Sequence, residues 1–377
     1  MPTLYIHIPF CRKACTYCDF HFITSLKLKA EMVRAICREI ELRKDFFPEN
    51  APLQSIYFGG GTPSVLEANE IAAILETVGK FFPLEPGAEI TLEANPDDLT
   101  PDKLHEFRGV GINRLSIGIQ SFAERDLVLM NRSHSATQAI TCLENAKAQG
   151  FANISADLIF GIPGQTMEEW YQHLQRLANL QIPHLSLYAL TVEEKTALAF
   201  QVKKGQTSLP EDETYEKQFL AAHDYLTGSG YDHYELSNYA LPGLRSRHNS
   251  AYWQQVPYLG LGPSAHSFDG KRRMWNVAHN PQYLSAIQAG QTALSETETL
   301  GLRDRYHEYI MTHLRKKEGI DCRYIREQFF SDWEEKFSLE INNLLKEEKM
   351  VKTSTGYSLT PSSWLISDQI IRDFFLD

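Results

Sequence analysis

Short apolar runs alternate with amphipathic stretches along most of the chain. Residues 4–8, 55–58, 89–93, 114–119, 154–160 and 184–190 have the length and composition of strands, and several are near-continuously apolar, as expected when both faces are covered. Between them, helical periodicity runs over 29–47, 68–81, 135–149, 167–180 and 212–227. In the first of these Met32, Ile36, Ile40 and Phe47 fall near one face and Pro48 stops the helix, while Thr100-Pro101 reads as an N-cap and first turn. Repeated strand–loop–helix units predict right-handed crossovers and a parallel sheet. A doubly wound sheet and a barrel both satisfy that pattern. Polar residues fall on or just after successive strands, and a barrel gathers such positions at one mouth, so the expected fold is α/β, a partial (β/α)6 barrel.

The rhythm changes after Tyr231. Residues 231–236 look like one more strand, and 237–270 form a long segment rich in Asn, Pro, Gly and aromatics, of the kind that is functional or linking. Helices are expected over 306–316, 322–329, 333–346 and 366–375, with a hairpin over 350–359 turning at Thr355-Gly356. The expected domains are a core barrel over 1–235, an extended segment over 236–300, and a small helical, winged-helix-like domain over 301–377. Glu318, Asp321, Glu327, Asp332, Glu334, Glu335 and Glu340 crowd that last domain, which fits a docking or lid module better than a nucleic-acid reader.

Charge and cysteine content narrow the class. Across 377 residues Lys plus Arg is 37 and Asp plus Glu is 48, a formal charge of −11 that favours neither a nucleic-acid coat nor an anionic membrane surface. No apolar run approaches a bilayer span and no secretory leader is evident, so a cytoplasmic protein without an integral membrane segment is expected. Of the six cysteines, Cys37, Cys142 and Cys322 stand singly in helix-like patterns and read as small packing residues.

The other three carry chemistry. Cys11, Cys15 and Cys18 follow the first strand with the spacing C-x3-C-x2-C, three soft ligands within eight residues. A cube of four irons takes one thiolate per iron, so three cysteines leave one iron open. Zinc needs four ligands, and although His7 and His21 lie nearby, His7 falls inside the strand. A disulfide framework would need a small secreted chain. After the second strand, Gly59-Gly60-Gly61-Thr62-Pro63 reads as a tight turn, or as a place where a charged ligand group approaches the backbone. No Lys-Ser or Lys-Thr pair follows, which excludes a P-loop. Beside an open iron the glycine run suits an amino-acid ammonium or carboxylate.

These residues resemble those of a known family. CRKACTYC resembles the three-cysteine signature of radical S-adenosylmethionine (SAM) enzymes, and YFGGGTPS their glycine motif. YIHIPFC, GGGTPS, LEANP, IGIQSF, MNRSH, ADLIFGIPGQT and HNSAYW, in order over essentially the whole chain, resemble the branch containing oxygen-independent coproporphyrinogen III dehydrogenase (HemN) and the HemW heme chaperones. The resemblance implies a [4Fe–4S] cluster on Cys11, Cys15 and Cys18, with the open iron chelated by SAM and one-electron cleavage of SAM within reach. It places Tyr5, Gly60, Gly61, Thr62, Glu93, Gln120, Arg132 and Asp157 around SAM. Taken alone, Glu93 and Asp157 could equally cap helices and Gln120 could satisfy a strand end.

Two features separate the branches. The dehydrogenases carry a fourth cysteine two residues after the third, where this chain has Phe20. RHNSAYW resembles the HNxxYW motif associated with heme in HemW proteins, which implies His248 as a heme-binding residue, although His248 could instead bond the local backbone. The resemblance thus implies a heme chaperone that passes heme to apo-hemoproteins such as respiratory enzymes. The alternative is a dehydrogenase that oxidatively decarboxylates coproporphyrinogen III.

Overall fold

Strands β1 (Thr3–Ile8), β2 (Leu53–Gly60), β3 (Leu84–Ala94), β4 (Arg114–Gln120), β5 (Asn153–Phe160) and β6 (His184–Ala189) pair in parallel, each with the next, in the computed structural model. The structure describes residues 1–329 and 334–376. Helices Lys29–Leu42, Ala68–Phe81, Pro101–Gly109, Ala136–Ala148 and Met167–Asn179 fill the crossovers. The α/β partial barrel expected from the alternation is therefore the fold observed.

Register explains why polar residues gather. Leu92 pairs with Leu115 and Leu115 with Ile154, while one step along Glu93 pairs with Ser116, Ser116 with Ser155 and Ser155 with His184. Side chains alternate between faces with a period of two. Leu4, Ile6, Phe58, Leu92, Leu115, Ile117, Ala156, Leu158 and Leu185 accordingly form one buried apolar face, and Tyr5, Tyr57, Glu93, Ser116, Asp157 and Ser186 share the other.

The remaining strands are short: β7 (Asp232–Glu235), β8 (Asn238–Ala240), β9 (Tyr258–Leu261), β10 (His266–Phe268), β11 (Arg272–Asn276), β12 (Leu294–Thr299), β13 (Ile320–Asp321), β14 (Met350–Lys352) and β15 (Gly356–Leu359). The segment expected to be irregular over 237–270 is instead ordered into β8, helix Arg247–Trp253, β9 and β10. Strands of three or four residues carry too little alternation to be read from sequence. β9 adds to β1 in parallel, and β10 and β11 continue the sheet antiparallel.

A buried carboxylate ties this addition down. Glu39, on helix Lys29–Leu42, accepts from Gly262 N (2.8 Å), Asn276 Nδ2 (2.7 Å) and the Tyr283 hydroxyl (2.8 Å). Arg43 lies 3.6 Å from it and donates to Gly260 O and Ser267 Oγ. That helix ends at Leu42, not at the expected 47, with Arg43 as its C-cap residue and the Arg43 N–H still donating to Glu39 O.

The chain divides into two compact units, Met1–Pro210 with Ser246–Glu298, and Glu211–Arg245 with Thr299–Asp377. This cuts across the three consecutive segments expected from the sequence. The second unit holds helix Asp212–Gly228, the antiparallel pair β7–β8, helices Leu302–His313, Cys322–Phe329 and Glu334–Lys346, and a sheet in the order β13-β15-β14. Asp332 and Trp333 lie outside the described residues. Among those described, no helix is long and apolar enough to cross a membrane.

Candidate functional site

The cysteine loop is pinned at each bend. Cys11 N–H donates to Ile23 O and Ile23 N–H to Pro9 O, both at 3.0 Å, closing the loop on itself. Thr16 N–H donates to Met130 O (3.1 Å) and its hydroxyl to Leu129 O (3.1 Å), while Asn131 Nδ2 donates to Ala14 O (2.7 Å). Arg12 reaches the buried Asp98 at 2.7 Å, and Asp98 also accepts from Ser64. The MNRSH stretch thus serves as a bracket for the loop.

The three thiols are free and close enough to influence one another's ionisation. Burial pushes Cys11 up to about 11, with Cys18 and Cys15 adding to the effect, and burial also raises Cys18. Two donors are aimed at sulfur: Thr62 Oγ1 to Cys11 at 3.3 Å and Arg132 Nη1 to Cys15 at 3.4 Å. Among the described residues no group of three His, Cys, Asp or Glu is placed to hold a metal ion. A four-iron cube spreads its thiolates over separate irons, and sulfur ligands with N–H and O–H donors behind them are the surroundings such a cluster uses. The donor set therefore fits such a cluster.

Around Gly59 lie Tyr5, Tyr57 and Glu93. Tyr57 donates to Glu93 at 2.7 Å, and Tyr5 stacks on Tyr57 with centroids 6.2 Å apart. Burial pushes the Glu93 carboxyl up to about 7; the Asp157 charge adds to this and the Tyr57 hydroxyl opposes it. The glycines answer first to protein packing. A Cβ on Gly60, where φ is +103°, would sit 2.6 Å from the His7 ring, and one on Gly61 would sit 2.6 Å from Phe10 O. The run is glycine because β2 passes close under β1 and the start of the cysteine loop.

Gln120 and Arg132 converge over Gly118. A Cβ there would meet Gln120 Nε2 at 2.8 Å and Arg132 Nη2 at 3.1 Å. Gln120 adopts a left-handed φ of 62° at a register shift between β4 and β5, which turns its side chain out of the strand alternation. Arg132 Nη2 donates at 2.7 Å to both Gly118 O and Asn95 Oδ1. Asp157 accepts from Ser116 and Ser155, each at 3.3 Å, and burial raises its carboxyl. Gly60, Glu93 and Gln120 thus lie at strand ends and Gly61 and Thr62 just beyond β2, whereas Tyr5 and Asp157 lie within β1 and β5 and Arg132 follows the short helix Glu124–Leu129.

His248 is placed differently. It is 1% exposed, with Nδ1 against Ser55 Oγ (2.9 Å) and Nε2 against the Tyr252 hydroxyl (3.2 Å). Its ring stacks on Tyr57 with centroids 4.8 Å apart, and burial together with the Arg114 charge holds it neutral, near a pKa of 3. Heme ligation by His248 therefore requires the ring to surrender a hydrogen bond and leave Tyr57. Sequence reading missed Tyr57, Asn95 and Ser116. Tyr57 alone carried a signal, since it alternates with apolar Ile56 and Phe58 immediately before the glycine run.

Comparison with known proteins matches this geometry. Residues 5–177 match the model of the radical SAM superfamily. The chain is 31% identical to the "Heme chaperone HemW" of Lactococcus lactis subsp. lactis (strain IL1403), over 99% of this chain and 97% of the relative. It is also 31% identical to that of Bacillus subtilis (strain 168), over 99% of each. Among solved structures, the coproporphyrinogen III oxidase (HemN) from Escherichia coli superposes with a TM-score of 0.84 at 25% identity, covering 99% of this chain and 90% of that one.

Proposed function

This chain belongs to the HemW family within the radical SAM superfamily, and from that we propose that it is a heme chaperone, binding heme and delivering it to apo-hemoproteins. Full-length similarity to chaperones of that name carries the reading. Phe20, standing two residues after Cys18 where the dehydrogenases carry a cysteine, supports it. The recipients we propose are apo-hemoproteins such as respiratory enzymes.

In this reading Cys11, Cys15 and Cys18 hold a [4Fe–4S] cluster, with Thr62 and Arg132 donating to two of the sulfurs. Tyr5, Gly60, Gly61, Thr62, Glu93, Gln120, Arg132 and Asp157 surround SAM. Backbone carbonyls of the glycine run accept from its ammonium, a carboxylate such as Glu93 or Asp157 takes ribose hydroxyls, and Arg132 pairs with its carboxylate. Together the bound groups supply one-electron chemistry at the open iron. Heme binding near His248, which the HNxxYW resemblance implies, belongs to this proposal with the opening step described above.

The test is anaerobic reconstitution of the cluster, followed by SAM, a reductant and coproporphyrinogen III, with a heme titration in parallel. A heme chaperone gives a stoichiometric heme spectrum and no protoporphyrinogen IX by mass. Decarboxylated product makes the chain a coproporphyrinogen III dehydrogenase instead.

A further inference from the structure

The HNSAYW segment is built into the barrel by its own hydrogen bonds. Ser246 caps the helix Arg247–Trp253, accepting from Asn249 N at 3.2 Å. Glu89 on β3 accepts from the N–H groups of Arg247 (3.1 Å) and His248 (3.0 Å), which fastens the first turn to the barrel wall. His248 and Tyr252, four residues apart, share one helix face. Tyr252 meets His248 edge-on at 4.9 Å and Tyr258 of β9 edge-on at 4.6 Å, so the face is gripped from two sides. What His248 touches on its flat side is Tyr57, with 26° between the rings. Tyr5 lies against Tyr57 with 23° between rings, and the Tyr57 hydroxyl ends on Glu93.

We infer that His248 is a positioning residue for the SAM site: the HNSAYW helix holds Tyr57 in the place from which its hydroxyl orients the Glu93 carboxylate. This rests on the proposed role of Glu93 in binding SAM. It gives the motif a role on the SAM side of the molecule in this arrangement, in which both imidazole nitrogens are engaged and one ring face is covered.

The experiment uses the reconstituted holoprotein and reads SAM affinity by equilibrium dialysis, cluster content by iron and sulfide, and heme affinity by titration. A hydrogen bond to a charged group is worth enough that losing its alignment weakens SAM about tenfold in His248→Ala, with cluster content unchanged. His248→Phe keeps a flat ring under Tyr57 and restores SAM affinity. In a Tyr57→Phe background, where the bond to Glu93 is already gone, His248→Ala has little further effect. SAM affinity unchanged in His248→Ala, no rescue by Phe, or independent effects in the double variant each overturn the assignment, as does a loss confined to heme. Where His248→Ala does not fold, Tyr252→Phe takes its place: it frees the imidazole, and SAM affinity unchanged there overturns the assignment equally. Wild-type holoprotein that takes up no SAM refutes the reading of Glu93, and this inference with it.

Discussion

Tyr57 joins two regions of sequence that have no local relation: its hydroxyl donates to Glu93 at 2.7 Å while its ring covers His248. The hydroxyl favours the charged carboxylate and burial opposes it, leaving Glu93 near 7. SAM affinity that depends on ionised Glu93 therefore strengthens as pH rises through about 7. In Tyr57→Phe that midpoint moves up by about one unit, from the usual strength of a charge-assisted bond. Dialysis across pH 6 to 9 reads both midpoints; a midpoint that stays put denies the bond its role.

Replacing Cys11, Cys15 or Cys18 by Ser abolishes iron and sulfide uptake on anaerobic reconstitution. Cys37→Ser leaves it at the wild-type level, because that cysteine sits on the helix Lys29–Leu42, away from the loop. Iron and sulfide analysis of the four variants decides the ligand set.

Gly61 and Gly79 give opposite outcomes for the same substitution. Gly61→Ala drives a methyl against Phe10 O and Ile8 O, which costs about 3 kcal/mol and distorts the backbone leading to Cys11. Gly79, inside the helix Ala68–Phe81, has nothing within 4 Å of its missing Cβ, so Gly79→Ala stabilises by about 1 kcal/mol. Urea unfolding measures both, and cluster content falls only in Gly61→Ala.

Arg132 serves three acceptors, Cys15 Sγ, Gly118 O and Asn95 Oδ1. A lysine keeps the charge but lacks the planar fork. Arg132→Lys therefore retains the cluster and lowers its reduction potential, since a donor to a ligating sulfur favours the reduced, more negative state. An EPR-monitored redox titration reads the shift, and an unchanged potential removes Arg132 from the cluster's surroundings.

His233 and Glu235, on the same short strand, act on stability with opposite sign. Burial pushes His233 down to about 3 from 6.5, so in that interval the unfolded chain binds the extra proton and stability falls on acidification. Burial pushes Glu235 up to about 7 from 4.5, so there the folded chain binds the extra proton and stability falls as pH rises. Between pH 4.5 and 6.5 the two oppose each other. Glu235→Gln steepens the acid loss in that window by about 1.4 kcal/mol per pH unit, and His233→Phe reduces it by a similar amount. Urea unfolding at stepped pH gives the slopes.

Much of this was readable from contiguous residues. The C-x3-C-x2-C spacing, the strand–helix period, the Thr100 cap, which accepts from Lys103 N, and the glycine run are local patterns set by geometry within a few residues. Less was readable wherever a residue's partner comes from far along the chain. Glu39 looks like any charged helix residue, yet its buried partners are more than 200 positions away. Arg132 meets Cys15 across 117 residues, and His248 reaches Ser55 across 193. The motif HNSAYW suggested a ligand because histidine beside aromatic rings is chemically apt for heme. The sequence alone determined the order of the first six strands with their crossover helices, and the family, because these depend on spacing and composition. Only the tertiary structure decided that His248 lies under Tyr57 with both nitrogens engaged, because strand register and the seating of one short helix set which face each side chain meets.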